Sequence, residues 1–270
     1  MRTPVPENLR KGKLMTGFTF DCTIDGQGYS VGLLETIAYH RNLHVLHQMK
    51  RAGARILLRG TTLTDDEIDL LTAEEASEAS VAVRNCYDQD GIRTLFKDQL
   101  AASEQRWRDW NDASRGLPPQ TCVADITITG ISFEEFSEAM STQGPFLDDY
   151  PSVHPDHFYI GKSDGILRGI ETFGMYGGPS EMCLIPVPDL KVPIERDQSY
   201  PYAFGAEASL VDGTNTNAPA FMQFKPTDTG LMAKVGCCFP AKVPRELVEG
   251  HKLHLSLEFL GFAKAVVVSR

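Results

Sequence analysis

The residues best suited to chemistry lie near the carboxyl end of the chain, in a segment predicted to be a helix. His254 and Glu258 are four positions apart there, so they would share one helix face. Their imidazole nitrogen and carboxylate oxygen could then reach a single divalent cation. A solvated His–Glu pair is the alternative interpretation. His251, one turn earlier, could either replace a ligand or face water.

Two further histidines flank a Pro-Asp turn in the sequence Tyr150-Pro-Ser-Val-His154-Pro-Asp-His157. This turn comes just before a strand predicted over residues 158–161. Histidines at such a junction often act as metal ligands or bases, because the strand fixes the direction of the side chain. Both side chains could instead be exposed to solvent.

An acidic residue, Glu171, interrupts the apolar, strand-like sequence Gly169-Ile-Glu-Thr-Phe173. Alternation along a strand places Glu171 on the same face as Gly169 and Phe173. If that face lines a cavity, burying a bare carboxylate there would cost several kcal/mol, and a metal ion or another cation would offset this cost. An outward-facing glutamate on a half-exposed sheet is the alternative.

A competing histidine series lies earlier in the chain, at His40, His44 and His47. This spacing puts three imidazoles on one helix face, where they could bind a metal. Positive charges at Arg41 and Lys50 crowd the segment, and no acid is interleaved. We therefore expect a solvated helix face, or a series that caps the mouth of a cavity.

The elements that must position these residues fall into two groups, which predicts an α+β fold. Residues 1–118 are predicted to be mostly helical, and the sequence Arg115-Gly-Leu-Pro-Pro-Gln120 marks a boundary. Residues 119–270 are predicted to form strands and a long final helix from Pro244 to about Val268. The helices predicted before the boundary cover residues 33–52, 73–86 and 92–110, with a capping box at Thr64. The strands predicted after it cover residues 122–129, 158–161, 167–173, 181–187, 204–211, 220–225 and 231–239, with a short helix over 132–140 capped by Ser132.

A curved antiparallel sheet and one long C-terminal helix can pack with the sheet wrapped around the helix, which leaves a cavity between them. Gly250 and Gly261 lie within the predicted helix. They would let a strand or a ligand approach the helix closely, at about 1 kcal/mol each in helix propensity. Cavities of this kind usually hold apolar ligands.

Composition and charge narrow the class of protein. The chain has 270 residues and is 42% hydrophobic and 23% charged, which excludes a disordered or low-complexity protein. The net charge of −10 lies mostly after Pro118 and argues against nucleic acid as a partner. No apolar run reaches the roughly 18 residues of a membrane helix, and the start of the chain lacks the apolar stretch of a secretion signal. We therefore expect a cytoplasmic protein that does not bind membranes, with its six cysteines as buried thiols.

Taken in order, the motifs resemble those of the diacetylphloroglucinol and phloretin hydrolases. These are zinc enzymes that cleave a carbon–carbon bond between an acyl group and a phenolic ring. The resemblance covers roughly residues 125–265. The matching segments are Tyr150 with His154-Pro-Asp-His157, Glu171-Thr-Phe-Gly174, and His254-Leu-Ser-Leu-Glu258-Phe259.

The resemblance implies a small helical N-terminal region and a helix-grip catalytic domain, in which a curved antiparallel sheet surrounds the C-terminal helix. It implies Zn²⁺ as cofactor, with the ligands His157, Glu171, His254 and Glu258. Tyr150 would contact the phenol, and either Tyr150 or His154 would move a proton during catalysis. Because the loop is one residue shorter here than in the family, the choice between His154 and His157 as ligand stays open.

The function implied is a retro-Claisen hydrolysis of an acylated, polyhydroxylated aromatic or a related 1,3-diketone. Ile160 stands where the family has a substrate-binding asparagine, and Val248 where it has a threonine. These departures predict a changed small-molecule substrate, still aromatic or polyketide. A non-hydrolytic isomerase or cyclase of polyketide or terpenoid metabolism is the alternative function. The sequence leaves the oligomeric state open and allows a homo-oligomer.

Overall fold

The computed structural model describes residues 17–141, 150–163, 166–187, 192, 194 and 196–270, without the side chains of Tyr150 and Ser163. Within these residues the protein is an α+β structure, with helices in its N-terminal part, a large antiparallel sheet and a long C-terminal helix. The helices are α1 (Val31–Arg51), α2 (Asp65–Asp69), α3 (Ala73–Arg84), α4 (Gln89–Leu95), α5 (Lys97–Ala113), α6 (Phe133–Met140), α7 (Tyr150–Val153) and α8 (Arg245–Ser269). The strands are β1 (Thr19–Ile24), β2 (Gln27–Tyr29), β3 (Leu57–Leu58), β4 (Thr61–Thr62), β5 (Gln120–Thr129), β6 (His157–Ser163), β7 (Ile166–Glu171), β8 (Ser180–Pro186), β9 (Tyr202–Ser209), β10 (Ala220–Thr227) and β11 (Gly230–Phe239).

Nine of the described strands form one sheet, in the order β2-β1-β5-β11-β10-β9-β8-β7-β6, and β3 pairs with β4 separately. All pairs of neighbouring strands in the large sheet are antiparallel. Strands β1 and β2 were not predicted. In β1, the side chains of Phe20, Cys22 and Ile24 are buried and alternate with exposed ones, so this short stretch follows the period of a half-buried strand.

Side-chain caps confirm two predicted helix starts. Thr64 accepts a hydrogen bond from the backbone N–H of Glu67, and Glu67 accepts one from the backbone N–H of Thr64. Ser132 and Glu135 form the same reciprocal pair at α6. Each capping box satisfies two backbone donors that the first helical turn leaves without intrahelical partners.

The single helix predicted over residues 92–110 is wrong, because the chain forms α4 and α5 with a break at Phe96. The backbone of Phe96 has φ −106° and ψ 19°, outside the helical region. Its ring is buried against Phe158 of β6, with ring centroids 4.6 Å apart. Tertiary packing of this ring therefore interrupts a segment that would otherwise favour one helix.

The C-terminal helix lies against the inner face of the sheet. Leu257, Leu260 and Ala263 of α8 share a buried apolar cluster with Ile126 of β5 and Val235 of β11. The apolar face of α8 therefore packs onto the central strands. No helix in the described part of the chain combines the length and apolarity needed to cross a bilayer.

Two glycines set how closely other segments approach α8, and these segments are a turn and a helix end rather than the predicted strand or ligand. A methyl group at Gly250 would overlap the backbone of Gly174, in the 3₁₀ turn that follows β7. A methyl group at Gly261 would overlap the carbonyl oxygen of Val153, at the end of α7. The helix therefore meets, in backbone contact, the two segments that carry the predicted ligands.

Candidate metal site

The predicted ligands His157 and Glu171 face each other on neighbouring strands. His157 is the first residue of β6 and Glu171 is the last residue of β7. The two strands pair antiparallel with these residues opposite each other. The contact between Gly174 and Gly250 brings this end of the hairpin against α8, the helix that carries His254.

Three ligand atoms converge where the hairpin meets the helix. Nε2 of His157 lies 2.6 Å from Oε2 of Glu171. Nε2 of His254 lies 3.1 Å from the same oxygen and 3.1 Å from Nε2 of His157. Atoms bound to one tetrahedral Zn²⁺ at about 2.1 Å lie roughly 3.4 Å apart, so a cation would fit if the three atoms separated by less than about 1 Å.

Asp156 determines which nitrogen of His254 carries the proton. Oδ2 of Asp156 lies 3.1 Å from Nδ1 of His254, and the same carboxylate pairs with Arg41. A carboxylate only accepts hydrogen bonds, and the nearest oxygen of Glu171 already accepts the shorter contact from His157. We therefore assign the one proton of a neutral His254 to Nδ1 and the lone pair to Nε2. This lone pair faces the carboxylate of Glu171, an arrangement that a bound cation stabilises.

Charges within the cluster shift the pKa values in opposite directions. Burial raises the pKa of Glu171, but the surrounding histidines, through the charge and hydrogen bond of His157, outweigh burial and lower this pKa to about 2. Burial lowers the pKa of His157, but the carboxylates, Glu171 first, outweigh burial and raise it. The pKa of His254 lies well below its ordinary value, chiefly because of burial. His254 is therefore neutral, while His157 and Glu171 form an ion pair.

His154 lies beside the cluster, but both of its ring nitrogens bind backbone groups. Nε2 lies 2.9 Å from the carbonyl oxygen of His254, and Nδ1 accepts the N–H of Asp156 at 3.0 Å. Burial holds the pKa of His154 well below its usual value. His154, His157 and His254 form a group whose ligand atoms lie within 4.8 Å of one another. The backbone hydrogen bonds nevertheless favour His157 as the ligand and argue against the predicted acid–base role of His154.

The structure gives fewer contacts for the two other predicted site residues, Glu258 and Tyr150. Glu258 is half-buried and lines the same cavity as His157, Glu171 and His254. Its negative charge contributes to the raised pKa of His157, so it acts on the cluster electrostatically. The side chain of Tyr150 lies outside the described residues, and its contact with a phenol stays a prediction.

The cluster forms part of the wall of a cavity of about 230 Å³ between the sheet and α8. Most of the other wall residues are apolar, and they include Ile160, Leu167, Met182, Leu184, Phe221, Met222, Phe259 and Phe262. The volume is below the roughly 300–1,000 Å³ of sites for drug-sized ligands. The cavity therefore suits a small, mainly apolar molecule such as a substituted single ring.

His251 belongs to a second group of ligand atoms, with Glu171 and His254, that also lie within 4.8 Å of one another. Its ring stacks on Phe173, and its Nε2 lies 3.5 Å from Sγ of Cys237. Burial lowers the pKa of His251 to about 4. A neutral imidazole at this position could replace one of the other histidines as a ligand, which is the alternative that the sequence left open.

Two buried arginines from the N-terminal helices hold the loop before β6, and sequence reasoning missed both. Arg84 of α3 donates hydrogen bonds of 2.8 Å to the carbonyl oxygens of Pro151 in α7, His154 in the loop and His157 at the start of β6. Arg41 of α1 pairs with Asp156. The sequence pattern could have revealed Arg84. This residue continues the buried face of α3, which is formed by Ala76, Ala79, Ser80 and Val83. A charge at such a position indicates a buried partner.

The competing histidine series belongs to no group of potential metal ligands in the described ranges. His40 is exposed, and His47 pairs with Asp69 of α2 at 2.7 Å. Burial is the main cause of the lowered pKa of His44. These three side chains therefore have separate environments rather than a common centre.

In comparisons with known proteins, no family model matches the chain, and no curated protein matches it significantly. The residues and their geometry therefore define the site as a buried His–Glu cluster, able to hold a metal ion, in the wall of an apolar cavity.

Proposed function

We propose that the protein is a zinc-dependent hydrolase that cleaves a carbon–carbon bond in a small acylated, polyhydroxylated aromatic or a related 1,3-diketone. The observation that carries the proposal is the convergence of His157, His254 and Glu171 in the wall of an apolar cavity. The reaction class comes from the resemblance of the site motifs to the phloroglucinol-type hydrolases. The helix-grip arrangement of sheet and C-terminal helix is part of the same proposal.

The donor set supports zinc over a hard cation. Two imidazoles with one or two carboxylates suit Zn²⁺, whereas Mg²⁺ and Ca²⁺ prefer oxygen ligands only. With both Glu171 and Glu258 as ligands, the site would be formally neutral. Bound zinc would polarise a substrate carbonyl. Two carboxylate ligands lower its Lewis acidity relative to a site with three neutral histidines, which favours chelation of the substrate over activation of water.

The side chains around the cluster suit an acyl aromatic substrate. The apolar walls would hold the ring and exclude bulk water, while His157, His254 and Glu171 form the polar end of the cavity. In the hydrolysis, the hydroxyl of water joins the acyl carbon, the carbon–carbon bond breaks, and a proton is delivered to the ring carbon. Tyr150 is the predicted proton donor, and His154 supports the loop through its backbone hydrogen bonds.

The experiment that tests this proposal has two parts. Elemental analysis of the purified protein should find about one zinc per chain if the ligands form one site. Incubation with a panel of acylphloroglucinols should then release a carboxylic acid and the deacylated ring. Glu171→Gln should lose both zinc and acid release, and His40→Ala, at an exposed position, serves as control. Protein without bound zinc, even after zinc is supplied, would overturn the proposal.

A non-hydrolytic isomerase or cyclase is the second candidate, and one observation favours it. Ile160, at the position of the family's substrate-binding asparagine, lines the cavity with an apolar side chain. A cavity with few polar groups away from the cluster suits the folding of a polyketide or terpenoid chain. Zinc binding without release of a carboxylic acid would support this second function.

A further inference from the structure

A continuous chain of polar contacts links α1, in the N-terminal part of the protein, to the imidazole of His254. Arg41 pairs with Asp156, and Asp156 accepts the Nδ1–H of His254 at 3.1 Å. The three residues are almost fully buried, with exposures of 1%, 1% and 2%. Arg41 also donates to the carbonyl oxygen of Gly250 on α8 at 2.7 Å.

Stability alone is a poor explanation for this arrangement. Removing a guanidinium and a carboxylate from water carries a large desolvation cost for each ion, and well-packed apolar residues often stabilise a core at least as well as a buried ion pair. The ion pair does, however, fix the orientation of the groups around it. Arg41 holds the Asp156 carboxylate against Nδ1 of His254 and holds the backbone of α8 through Gly250.

The hydrogen bond from Nδ1 to Asp156 also determines what the other ring nitrogen of His254, Nε2, can do. An imidazole that donates from Nδ1 must keep its lone pair on Nε2. Nε2 is the atom that lies 3.1 Å from both Glu171 and His157. With the proton on Nε2 instead, the ring would present a donor to the cluster and could not bind a cation there.

We propose that Asp156 and Arg41 are positioning residues that keep His254 in the metal-binding tautomer, so that helix α1 completes the metal site. This inference rests on the proposed zinc site, and not on the identity of the substrate. Asp156 takes part through its side chain, whereas its backbone N–H serves His154. A side-chain substitution therefore leaves the hydrogen bond to His154 in place.

Asp156→Asn in the full-length protein tests the inference, with Zn²⁺ alone as the probe. The amide of asparagine can donate to Nδ1 and so favours the other tautomer. We expect the affinity for Zn²⁺, measured by chelator competition, to fall about 10- to 100-fold, as outer-shell changes typically cause. The visible spectrum of bound Co²⁺ should change in the same variant, because the orientation of one ligand changes.

Glu181→Gln is the matched control. Glu181 is a buried acidic residue, 6% exposed. It pairs with Arg93 of α4 at 2.5 Å and belongs to no group of potential metal ligands in the described ranges. The control should lose stability without losing zinc affinity. If both variants lost affinity equally, general destabilisation would explain the result and the inference would be wrong.

Two variants of Arg41 extend the test. Arg41→Met removes the cation that holds the Asp156 carboxylate in place, and zinc affinity should fall. Arg41→Lys keeps the charge but cannot bridge Asp156 and Gly250 in the same way, so it should recover part of the affinity. Equal affinities in Arg41→Met and the wild type would contradict a positioning role for Arg41.

The tautomer can be measured without metal. Two-bond ¹H–¹⁵N spectra of metal-free protein with labelled histidine should show His254 protonated at Nδ1 in the wild type and at Nε2 in Asp156→Asn. Protonation at Nε2 in the wild type would overturn the inference. If the wild type failed to bind zinc while its His254 was protonated at Nδ1, the proposed function would fail but the positioning by Asp156 would stand.

Discussion

The histidines of α1 and the histidines of the cavity wall have the same side chain in opposite surroundings. On α1, His40, His44 and His47 follow one another along a single helix, and His47 pairs with Asp69, whose side chain is 64% exposed. In the cavity wall, His157 and His254 are 97 residues apart in sequence and share Glu171. The comparison shows that separate elements converging on a buried acid make a candidate metal site here. A regular spacing along one helix does not.

Removal of a metal ligand should have the largest effect on zinc affinity. It should also distinguish the histidines of the cavity wall from those of α1. His254→Ala deletes the Nε2 atom that lies between Glu171 and His157. We expect zinc affinity to fall by more than about 100-fold, since the loss of an outer-shell partner alone typically costs 10- to 100-fold. Isothermal titration with Zn²⁺ measures this. His40→Ala should leave the affinity unchanged, and a loss of zinc in that variant would reverse the assignment of the two groups.

A glycine substitution in α8 should have the next largest effect, on both stability and zinc affinity, whereas one in α1 should have almost none. Gly250→Ala places a methyl group against the backbone of Gly174, and we expect it to lower the free energy of unfolding by about 1–3 kcal/mol. Zinc affinity should also fall, because Glu171 and His254 would move apart. On α1, a methyl group at Gly32 would meet no atom within 4 Å. Gly32→Ala should therefore keep its stability in urea unfolding, and an equal loss in both variants would contradict the packing argument.

The pH dependence of stability in metal-free protein should depend on the buried His251. Burial lowers the pKa of His251 from 6.5 to about 4. Between these values the unfolded chain binds a proton that the native state does not, so the free energy of unfolding falls as the pH falls through this window. His251→Leu should flatten the profile measured by chemical unfolding between pH 7 and pH 4.5. Identical slopes in the wild type and His251→Leu would refute this explanation.

The smallest effect is expected on the surface of α1. His47→Ala removes a contact to Asp69. A solvent-exposed pair of this kind contributes less than about 1 kcal/mol, so the thermal unfolding midpoint should hardly change. Zinc content should equal that of the wild type. A large loss of stability would mean that the interaction of α1 with α2 is stronger than its exposure suggests.

Local sequence patterns predicted much of the fold. The capping residues Thr64 and Ser132 marked true helix starts, and alternation after residue 120 located most strands of the sheet. The break at Phe96 could not be predicted, because it depends on a ring contact with Phe158. Strand β1 was missed although its burial alternates, since it lies in a short segment of a region dominated by helical patterns.

The candidate site was predicted in part for a similar reason. His157, Glu171 and His254 were recognisable from chemical type and from the elements that carry them, and the structure brings them together. Asp156 and Arg41 were not recognised as site residues, because their role depends on a contact between α1 and the loop before β6. The roles of Tyr150, the substrate, a cytoplasmic location and the oligomeric state stay predictions.

The spacing of the two glycines in α8 has a consequence for how the molecule holds its geometry. Gly250 and Gly261 are eleven positions apart, close to three full turns of about 3.6 residues each, and His254 lies between them on nearly the same side of the helix. Backbone contacts at both glycines fix the rotation of the helix and its position along its own axis. A slip by one residue would turn the imidazole of His254 by about 100°, away from the two strands. The glycine contacts therefore favour a single packing register for α8.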